Sequence, residues 1–189
     1  MGKSKRISSS ACCTKCFVLT LTQKRYVDAP TAENEDGSWY IPLSWTVASS
    51  PDFSRTTPAQ YFVDGVASHT VSLATQANFN ITQHWYIFNI QQTGYYRVSY
   101  EKSNWDKLAA ALNSDNYESI HLLNRAQLID DSMEFARAGR LDYETSLSIL
   151  TYLKHETDYI PWQSASSYLN TLNRYLSATS TYKNYVVGF

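Results

Sequence analysis

The chain changes from one kind of structure to another across the run Trp85-Tyr-Ile-Phe-Asn-Ile-Gln-Gln-Thr-Gly94-Tyr-Tyr-Arg97-Val-Ser-Tyr100, which Asn104-Trp105 and Asn124-Arg125-Ala-Gln-Leu-Ile-Asp130-Asp131 follow. Alternating residues on either side of Thr93-Gly94 predict two strands joined by a turn. From Ser103 onward, apolar residues recur with helical spacing, and Ser103 is a candidate N-cap. The run contains no recognisable catalytic motif, so it gives information about the fold and not about catalysis.

The part of the chain before this run has the pattern of an antiparallel β-sandwich. Short segments rich in β-branched and aromatic residues recur without any helical pattern between them. Pro42 favours an edge or a bend within the second segment, and 49–60 is predicted to be a loop. The predicted strand regions are 17–27, 39–47, 69–74, 84–90 and 95–100.

The part after the run has the pattern of stacked antiparallel helices, as in a bundle or an α-solenoid. After the helix at Ser103, a second is predicted from about Tyr117 to Ala138, with Gly139 as its C′ residue. A third begins near Asp142, and a fourth begins with Pro161. The predicted fold class is therefore α+β in series, with a partial sandwich at 17–100 and a helical segment at 101–189.

Composition excludes several classes of partner. The 16 basic and 17 acidic residues nearly balance, so nothing favours nucleic acid or an anionic membrane. The longest apolar run near the start, Phe17–Leu21, is far shorter than the ~20 residues of a membrane-spanning helix. Residues 1–16 are predicted to be an irregular tail that holds all three cysteines. The lone pair Cys13 and Cys16 leaves a metal or redox role open as a weaker alternative.

Several stretches occur in an order that resembles the aminopeptidase N family of zinc aminopeptidases. They are Leu21–Tyr26, Trp39–Trp45, Trp85–Tyr100, Asn104-Trp105, Asn124–Asp131, Ala136–Tyr143 and Glu156–Trp162. The resemblance covers about 17–189, and the ordered co-occurrence is more specific than any single motif. It implies the end of the family's β-sandwich domain followed by the start of its C-terminal helical domain.

The resemblance implies a function for the full-length enzyme rather than for this chain alone. Family members are zinc peptidases that remove N-terminal residues from peptides, and many are extracellular glycoproteins anchored to the membrane. Their chemistry needs a Gly-x-Met-Glu-Asn segment, and HExxH with a further Glu. Here Met133-Glu134 and His155-Glu156, with Tyr159 at the second ligand position, match only in part. We therefore assign no catalytic residue and no metal ligand, and we expect zinc only in the full-length enzyme.

The resemblance also implies that the chain is cut at both ends. The sandwich strand expected just before Leu19 is missing, with the cysteine-rich tail in its place, and the helical domain stops after about four helices. We expect both cuts to expose apolar surface. The implied partners are the catalytic domain of the same enzyme and, only through the full enzyme, peptides; no nucleic acid is implied.

Individual residues carry narrower expectations. Asn80-Ile-Thr82 is the only N-glycosylation sequon. Arg97 is expected to stack on tyrosines or to pair with a carboxylate. Arg125 is expected to bridge to an acidic side chain on a neighbouring helix or on the sandwich. The alternative is that Asn124, Arg125, Asp130 and Asp131 together line the cavity that the family's helical domain closes over its active site. The other family-motif residues, expected to be structural or interdomain, are Trp85, Gly94, Tyr96, Trp105, Asn124, Asp130 and Asp131.

Two functions from different classes follow. The first is a non-catalytic fragment of an aminopeptidase N-like zinc exopeptidase. The alternative is a catalytically dead paralogue that acts as an extracellular binding module, with its aromatic-rich sandwich as the recognition surface. A contiguous exposed aromatic patch would favour the second.

Overall fold

The computed structural model describes residues 5–13, 18–26, 38–66, 68–73, 78–180 and 182–183. The chain divides into two compact units, Met1–Ala110 and Ala111–Phe189. The division falls near the end of the first helix that follows the strands, so most of that helix groups with them. We call the two parts the sandwich unit and the helical unit.

Among the residues that the structure describes, eight short strands build the sandwich unit. A four-stranded sheet has the order β6-β2-β1-β8, while β3 pairs with β5 and β4 pairs with β7. Only Ser44 separates β3 from β4. Every strand pair is antiparallel except β1 with β8, which is parallel, so the expectation of a wholly antiparallel sandwich is wrong at that pair. The strands are β1 Lys5–Cys13, β2 Val18–Arg25, β3 Ile41–Leu43, β4 Trp45–Val47, β5 Gln60–Phe62, β6 Ser68–Ser72, β7 Tyr86–Phe88 and β8 Tyr96–Ser99.

The expectation of an irregular tail is wrong for residues 5–13, which form β1 between β2 and β8. The two neighbouring strands each present backbone N–H and C=O groups that need partners. That demand overrides the weak β-propensity of a serine-rich segment. Ile7 is fully buried, and the Ser9 hydroxyl lies 3.2 Å from the Tyr86 hydroxyl. The place of the strand expected before Leu19 is thus filled, while the rest of the predicted tail lies outside the described residues.

The first helix, α1 (Lys102–Leu112), completes the aromatic core of the sandwich unit. The Trp105 and Tyr100 rings meet edge to face with their centroids 5.0 Å apart, and Tyr100 meets Tyr86 in the same way at 5.7 Å. Ser103 lies inside α1 and donates to the Glu101 carboxylate, so its prediction as an N-cap is wrong. The aromatic contacts explain why α1 groups with the strands.

Within the described part of the helical unit there are three longer helices. They are α2 Leu122–Arg137, α3 Tyr143–Leu150 and α4 Tyr159–Leu176, with 3₁₀ turns at Tyr117–Ser119 and Thr151–His155. The second helix begins later than predicted, at Leu122, because the Nδ1 atom of His121 accepts the Leu123 N–H at 3.3 Å as an N-cap. It ends as predicted before Gly139, whose φ of +67° suits a C′ glycine. A partial sandwich followed by a helical segment is thus confirmed as the fold.

Neither unit offers a membrane-spanning element among the described residues. The longest helix, α4, has 18 residues and carries many polar side chains. Within the described ranges, no helix is long and apolar enough to cross a bilayer.

The turn between β7 and β8 generates a prediction. A Cβ atom at Gly94 would lie 2.9 Å from Cδ1 of Tyr96, which is closer than carbon atoms tolerate. We expect Gly94→Ala to lower the free energy of unfolding of the sandwich unit by about 1–3 kcal/mol. Tyr96→Val removes the clashing ring. The double variant should therefore be less destabilised than the sum of the losses in the two single variants. Urea unfolding of the parent chain, the two single variants and the double variant measures this. Strictly additive changes in the free energy of unfolding would contradict the clash.

Candidate functional site

The largest group of buried charges lies in the helical unit around Arg125, on the first turn of α2. Its side chain is only 3% exposed. Its Nε donates to Oε2 of Glu156 at 2.8 Å and its Nη2 donates to Oε1 of the same carboxylate at 3.2 Å, which makes the pair bidentate. Nη1 donates to the Ile120 carbonyl at 2.9 Å, and Nη2 also donates to Asp158 at 2.6 Å. The guanidinium therefore ties the start of α2 to the link between α3 and α4.

Glu156 holds this link in place from the other side. Its Oε1 accepts the backbone N–H groups of Thr157 and Asp158, both at 3.0 Å, and its Oε2 accepts the Tyr152 hydroxyl at 3.0 Å. Trp162 of α4 donates its indole N–H to the Glu156 carbonyl at 3.0 Å. The carboxylate is thus fully engaged in positioning the beginning of α4.

Two tyrosines pack against the ion pair. The Arg125 guanidinium lies 5.2 Å from the centroid of the Tyr117 ring, and this ring lies 6.0 Å from that of Tyr152. Tyr117 also donates its hydroxyl to the His155 carbonyl at 2.9 Å. We call these five residues, Arg125, Glu156, Asp158, Tyr117 and Tyr152, the Arg125 cluster.

The pKa shifts in the Arg125 cluster show that both partners are held charged. Burial alone would raise the pKa of Glu156, but hydrogen bonds from Arg125, the Asp158 N–H and Tyr152 hold it below its usual range. Burial would lower the pKa of Arg125, yet the bonds and charge of Glu156 raise it instead. Burial, and then the charge of Glu156, raise the pKa of Tyr152, so its hydroxyl remains a proton donor.

This arrangement is suited to holding structure rather than to chemistry. A catalytic acid or base must reach a substrate, whereas both oxygens of Glu156 are already bonded inside the protein. Of the two carboxylates in the cluster, Asp158 is the one open to solvent, with its side chain 49% exposed. The expectation that Arg125 bridges to an acidic side chain is confirmed, with the partners on the α3–α4 link rather than within a helix or on the sandwich.

The other polar motif residues of α2 also lie within the helical unit. Asn124, which is fully buried, donates to Gln127 at 2.7 Å, and Gln127 donates to Asp131 at 3.4 Å. Asp130 accepts the Tyr168 hydroxyl of α4 at 2.5 Å. These bonds run along α2 or between α2 and α4, which is consistent with a structural role.

The motif residues of the sandwich unit are packed around the β7–β8 turn. Trp85 is buried beside Phe53, and Tyr96 is buried above Gly94. The Arg97 guanidinium lies 5.4 Å from the Tyr26 ring, which confirms the expected stacking on a tyrosine. Trp105 is fully buried, and its indole N–H has no hydrogen-bond partner in the part of the chain that the structure describes.

The sequon at Asn80 is folded into a turn. Oδ1 of Asn80 accepts the Thr82 N–H at 3.0 Å and the Thr82 hydroxyl at 2.8 Å. Its backbone N–H donates to Nδ1 of His84 at 3.1 Å. Asn80 is half-buried and Thr82 is exposed, so the sequon lies at the surface.

The described residues do not supply a zinc site. Across the described ranges no three His, Cys, Asp or Glu side chains converge in a way that could hold a metal ion. Met133 is buried, Glu156 is bound to Arg125, and Tyr159 is 72% exposed. Of the CxxC pair, Cys13 lies in β1 and Cys16 lies outside the described residues.

The sequence analysis assigned no individual role to three residues that make important contacts. Glu156 could have been paired with Arg125 only by knowing that their segments meet. Asn104 accepts the Tyr86 N–H at 3.1 Å and donates to the Tyr86 carbonyl at 2.9 Å. Asn89, with φ of +63°, donates to Gly94 and accepts its N–H. The only sequence signal for the two asparagines was their place, Asn89 inside the opening run and Asn104 in the motif that follows it.

Comparison with known proteins identifies the class. A sequence model of the ERAP1-like C-terminal domain matches residues 85–188. The aminopeptidase N of Plutella xylostella is 42% identical over 176 residues, 93% of this chain and 18% of that protein. The membrane alanyl aminopeptidase of Manduca sexta is 36% identical over 174 residues, 90% of this chain and 17% of that protein. The human glutamyl aminopeptidase is 34% identical over 155 residues, 77% of this chain and 15% of that protein.

The fold and these matches together define a C-terminal region of a metallopeptidase. The chain belongs to the aminopeptidase N family. It spans less than a fifth of the length of the relatives compared here.

The Arg125 cluster generates a prediction about stability. Glu156→Gln keeps the size of the side chain but leaves the buried guanidinium without its main counter-charge. We therefore expect the free energy of unfolding of the helical unit to fall by about 3–5 kcal/mol. The matched control is Asp158→Asn, whose exposed carboxylate should contribute less than about 1 kcal/mol. Amide hydrogen exchange in α2 under mild urea measures both. Equal protection of the α2 amides in the two variants would show that the buried Arg125–Glu156 pair does not stabilise the helical unit.

Proposed function

We propose that this chain is a non-catalytic region of a zinc-dependent aminopeptidase that, at full length, removes N-terminal residues from peptides. Support comes from relatives that bear aminopeptidase names and extend far beyond the matched region. The observation that carries the proposal is the Arg125 cluster, in which the carboxylate nearest to a metallopeptidase motif is bonded internally.

The proposed partner is the catalytic domain of the same enzyme, where zinc would be bound. Large apolar side chains of α4 that remain exposed support a packed neighbour, because such side chains favour burial. These are Tyr159, Ile160, Trp162 and Tyr175. Peptides would be met only through the full enzyme, and no nucleic-acid partner is proposed.

We further propose that the parent enzyme lies outside the cell or is anchored at the plasma membrane. Relatives from Manduca sexta and Heliothis virescens are named membrane alanyl aminopeptidases, and a relative from Rattus norvegicus is named an ectoenzyme. The surface sequon at Asn80 fits such a location, because N-glycans are added in the secretory pathway.

The experiment that tests the catalytic part compares the chain with the product of its full-length transcript. We expect the chain alone to bind no stoichiometric zinc in equilibrium dialysis and to release no amino acid from aminoacyl-anilide substrates. The full-length product should do both, and a chelator should abolish its activity. Chelator-sensitive hydrolysis by the chain alone would contradict the proposal.

The sequon provides a separate prediction. Expressed through the secretory pathway, the chain should carry a glycan on Asn80 that an amidase for N-glycans removes, seen as a mobility shift on a gel. Asn80→Gln and Thr82→Ala should remove the shift, whereas the matched control Thr82→Ser should keep it because a hydroxyl remains. If the parent chain is secreted but shows no mobility shift, the assignment of Asn80 as a glycosylation site is overturned.

A second candidate function is an extracellular binding module. One observation favours it: Tyr40 is 65% exposed, Tyr61 is 53% exposed and Val63 is 40% exposed, all on or beside the β3–β5 ribbon. The register pairs Pro42 with Tyr61, so both share the face of the ribbon opposite buried Phe62. A full-length transcript without an upstream HExxH sequence would place this function ahead of the first.

A further inference from the structure

A cavity lies in the sandwich unit at the point where β3 gives way to β4. Its volume is about 370 Å³, which falls within the roughly 300–1,000 Å³ typical of small-molecule sites. The β3–β4 junction and β4 form one part of its wall, and the loop before β5 forms the other. The lining residues are Ser44, Trp45, Arg55, Thr57, Pro58 and Ala59. We call this cavity the Trp45 pocket.

The loop that carries Arg55 is anchored to the strands on both sides of that residue. Before Arg55, the Asp52 N–H donates to the hydroxyl oxygen of Thr46 in β4 at 2.7 Å. After it, the Ala59 N–H donates to the carbonyl of Leu43 in β3 at 2.8 Å. The backbone of the loop is therefore held against the strands without help from a ligand, so the pocket is largely pre-formed.

Arg55 supplies the charge of the Trp45 pocket. Its side chain is 82% exposed, and within the described ranges its one polar contact is with Asp52, whose Oδ2 lies 3.8 Å from Nε. That distance is too long for a hydrogen bond. Ser54 satisfies Asp52 instead, because its N–H and its hydroxyl donate to Oδ1 at 3.0 and 2.6 Å. These two bonds lower the pKa of Asp52 more than the charge of Arg55 does. The Arg55 guanidinium therefore keeps its donors for another acceptor.

The other polar side chains that line the pocket also have hydrogen atoms to donate. The Trp45 indole N–H and the Thr57 hydroxyl make no hydrogen bond to any residue that the structure describes. Oγ of Ser44 accepts the Ile90 N–H at 3.0 Å, which leaves its own hydrogen for a different partner. None of the lining residues named above has an acidic side chain. A positive charge with several donors and no carboxylate favours an anion.

The apolar part of the lining indicates what kind of anion fits. The Trp45 ring is half-buried and is supported by the Phe88 ring, with the two centroids 5.9 Å apart. Pro58 and Ala59 add compact apolar surface to the same cavity. A supported indole ring packs well against another flat ring, and such a contact also removes apolar surface from water. An anion with a flat apolar body would therefore use both parts of the lining.

We propose that the Trp45 pocket binds an aromatic carboxylate, with its carboxylate on Arg55 and its ring against Trp45. The forked guanidinium matches the two oxygens of a carboxylate, and the hydroxyls of Ser44 and Thr57 are further donors. An inorganic anion would engage the donors but not the Trp45 ring, and a neutral aromatic would do the reverse. The inference is independent of the aminopeptidase function proposed above, since the pocket uses no residue of the Arg125 cluster.

The first test compares two ligands of the same shape on the full chain. Naphthoate carries a carboxylate and naphthamide carries a neutral amide on the same rings. For ligands of this size we expect a Kd on the order of a millimolar. Naphthoate should bind about fivefold more tightly at low salt, as for a well-formed exposed ion pair. Added salt should reduce this ratio, because it screens the charge of Arg55.

The same titration locates the ligand when it is followed by nuclear magnetic resonance of nitrogen-15-labelled chain. We expect the signals that move to be the backbone amides of 44–45 and 55–59 and the Trp45 indole N–H. Trp45→Phe assigns the indole signal by its loss. Movement confined to the exposed aromatic side chains of α4, such as Trp162, would place the binding elsewhere and overturn the proposal.

The second test changes the charge of the pocket. Arg55→Gln should weaken naphthoate binding about fivefold, to the level of naphthamide, and should leave naphthamide binding unchanged. Arg55→Lys keeps the charge without the fork, so it should lose less. The matched control Arg174→Gln removes an exposed cation of the helical unit and should not alter either Kd. Because Arg55 is exposed, its variants should keep the Tm of the parent chain.

Three further outcomes would overturn the proposal. One is equal affinity for naphthoate and naphthamide, which would show apolar adsorption only. Another is an unchanged naphthoate affinity in an Arg55→Gln variant that keeps the parent Tm. The third is no movement of the pocket signals at naphthoate concentrations far above the expected Kd.

Discussion

Buried backbone groups must find hydrogen-bond partners, and this constraint shapes both units where regular structure breaks off. In the sandwich unit, Asn104 serves both the N–H and the carbonyl of Tyr86, as a neighbouring strand would. Where β3 gives way to β4, the Ser44 hydroxyl accepts the Ile90 N–H at 3.0 Å. In the helical unit, Glu156 accepts two backbone N–H groups and Arg125 donates to the Ile120 carbonyl. The side chains of the recognisable motifs thus replace missing secondary structure.

The same constraint separates what the sequence could predict from what it could not. Periodicity predicts the helices and most of the strands, though not the short β5, because these patterns depend on residues close along the chain. Gly139 shows this well, since its φ of +67° ends α2 locally. By contrast, β1 forms because β2, which follows it closely, and the distant β8 both offer strand edges, and the serine-rich sequence of β1 does not predict this. The partner of Arg125 is likewise 31 residues away and emerges only when α2 meets the α3–α4 link.

The partial match to a zinc motif illustrates how local sequence misleads about chemistry. His155-Glu156 begins like HExxH, yet a base in that motif needs a free carboxylate beside a metal, and the Glu156 carboxylate is bonded by Arg125 and Tyr152. The lowered pKa of Glu156 points the same way, because stabilisation of the charged form by internal bonds makes it a weaker base. The contacts that lower this pKa are those of a structural ion pair.

Family membership and activity therefore rest on different residues. Those that identify the chain, such as Gly94, Asn104 and Arg125, close turns, replace strand partners or hold helices, and none of these roles requires a metal or a substrate. A sequence can keep this set complete in a protein that is active or in one that is not. It follows that the match to aminopeptidases is firm evidence for the fold and for descent. Activity has to be argued from the zinc-binding residues of the full-length protein.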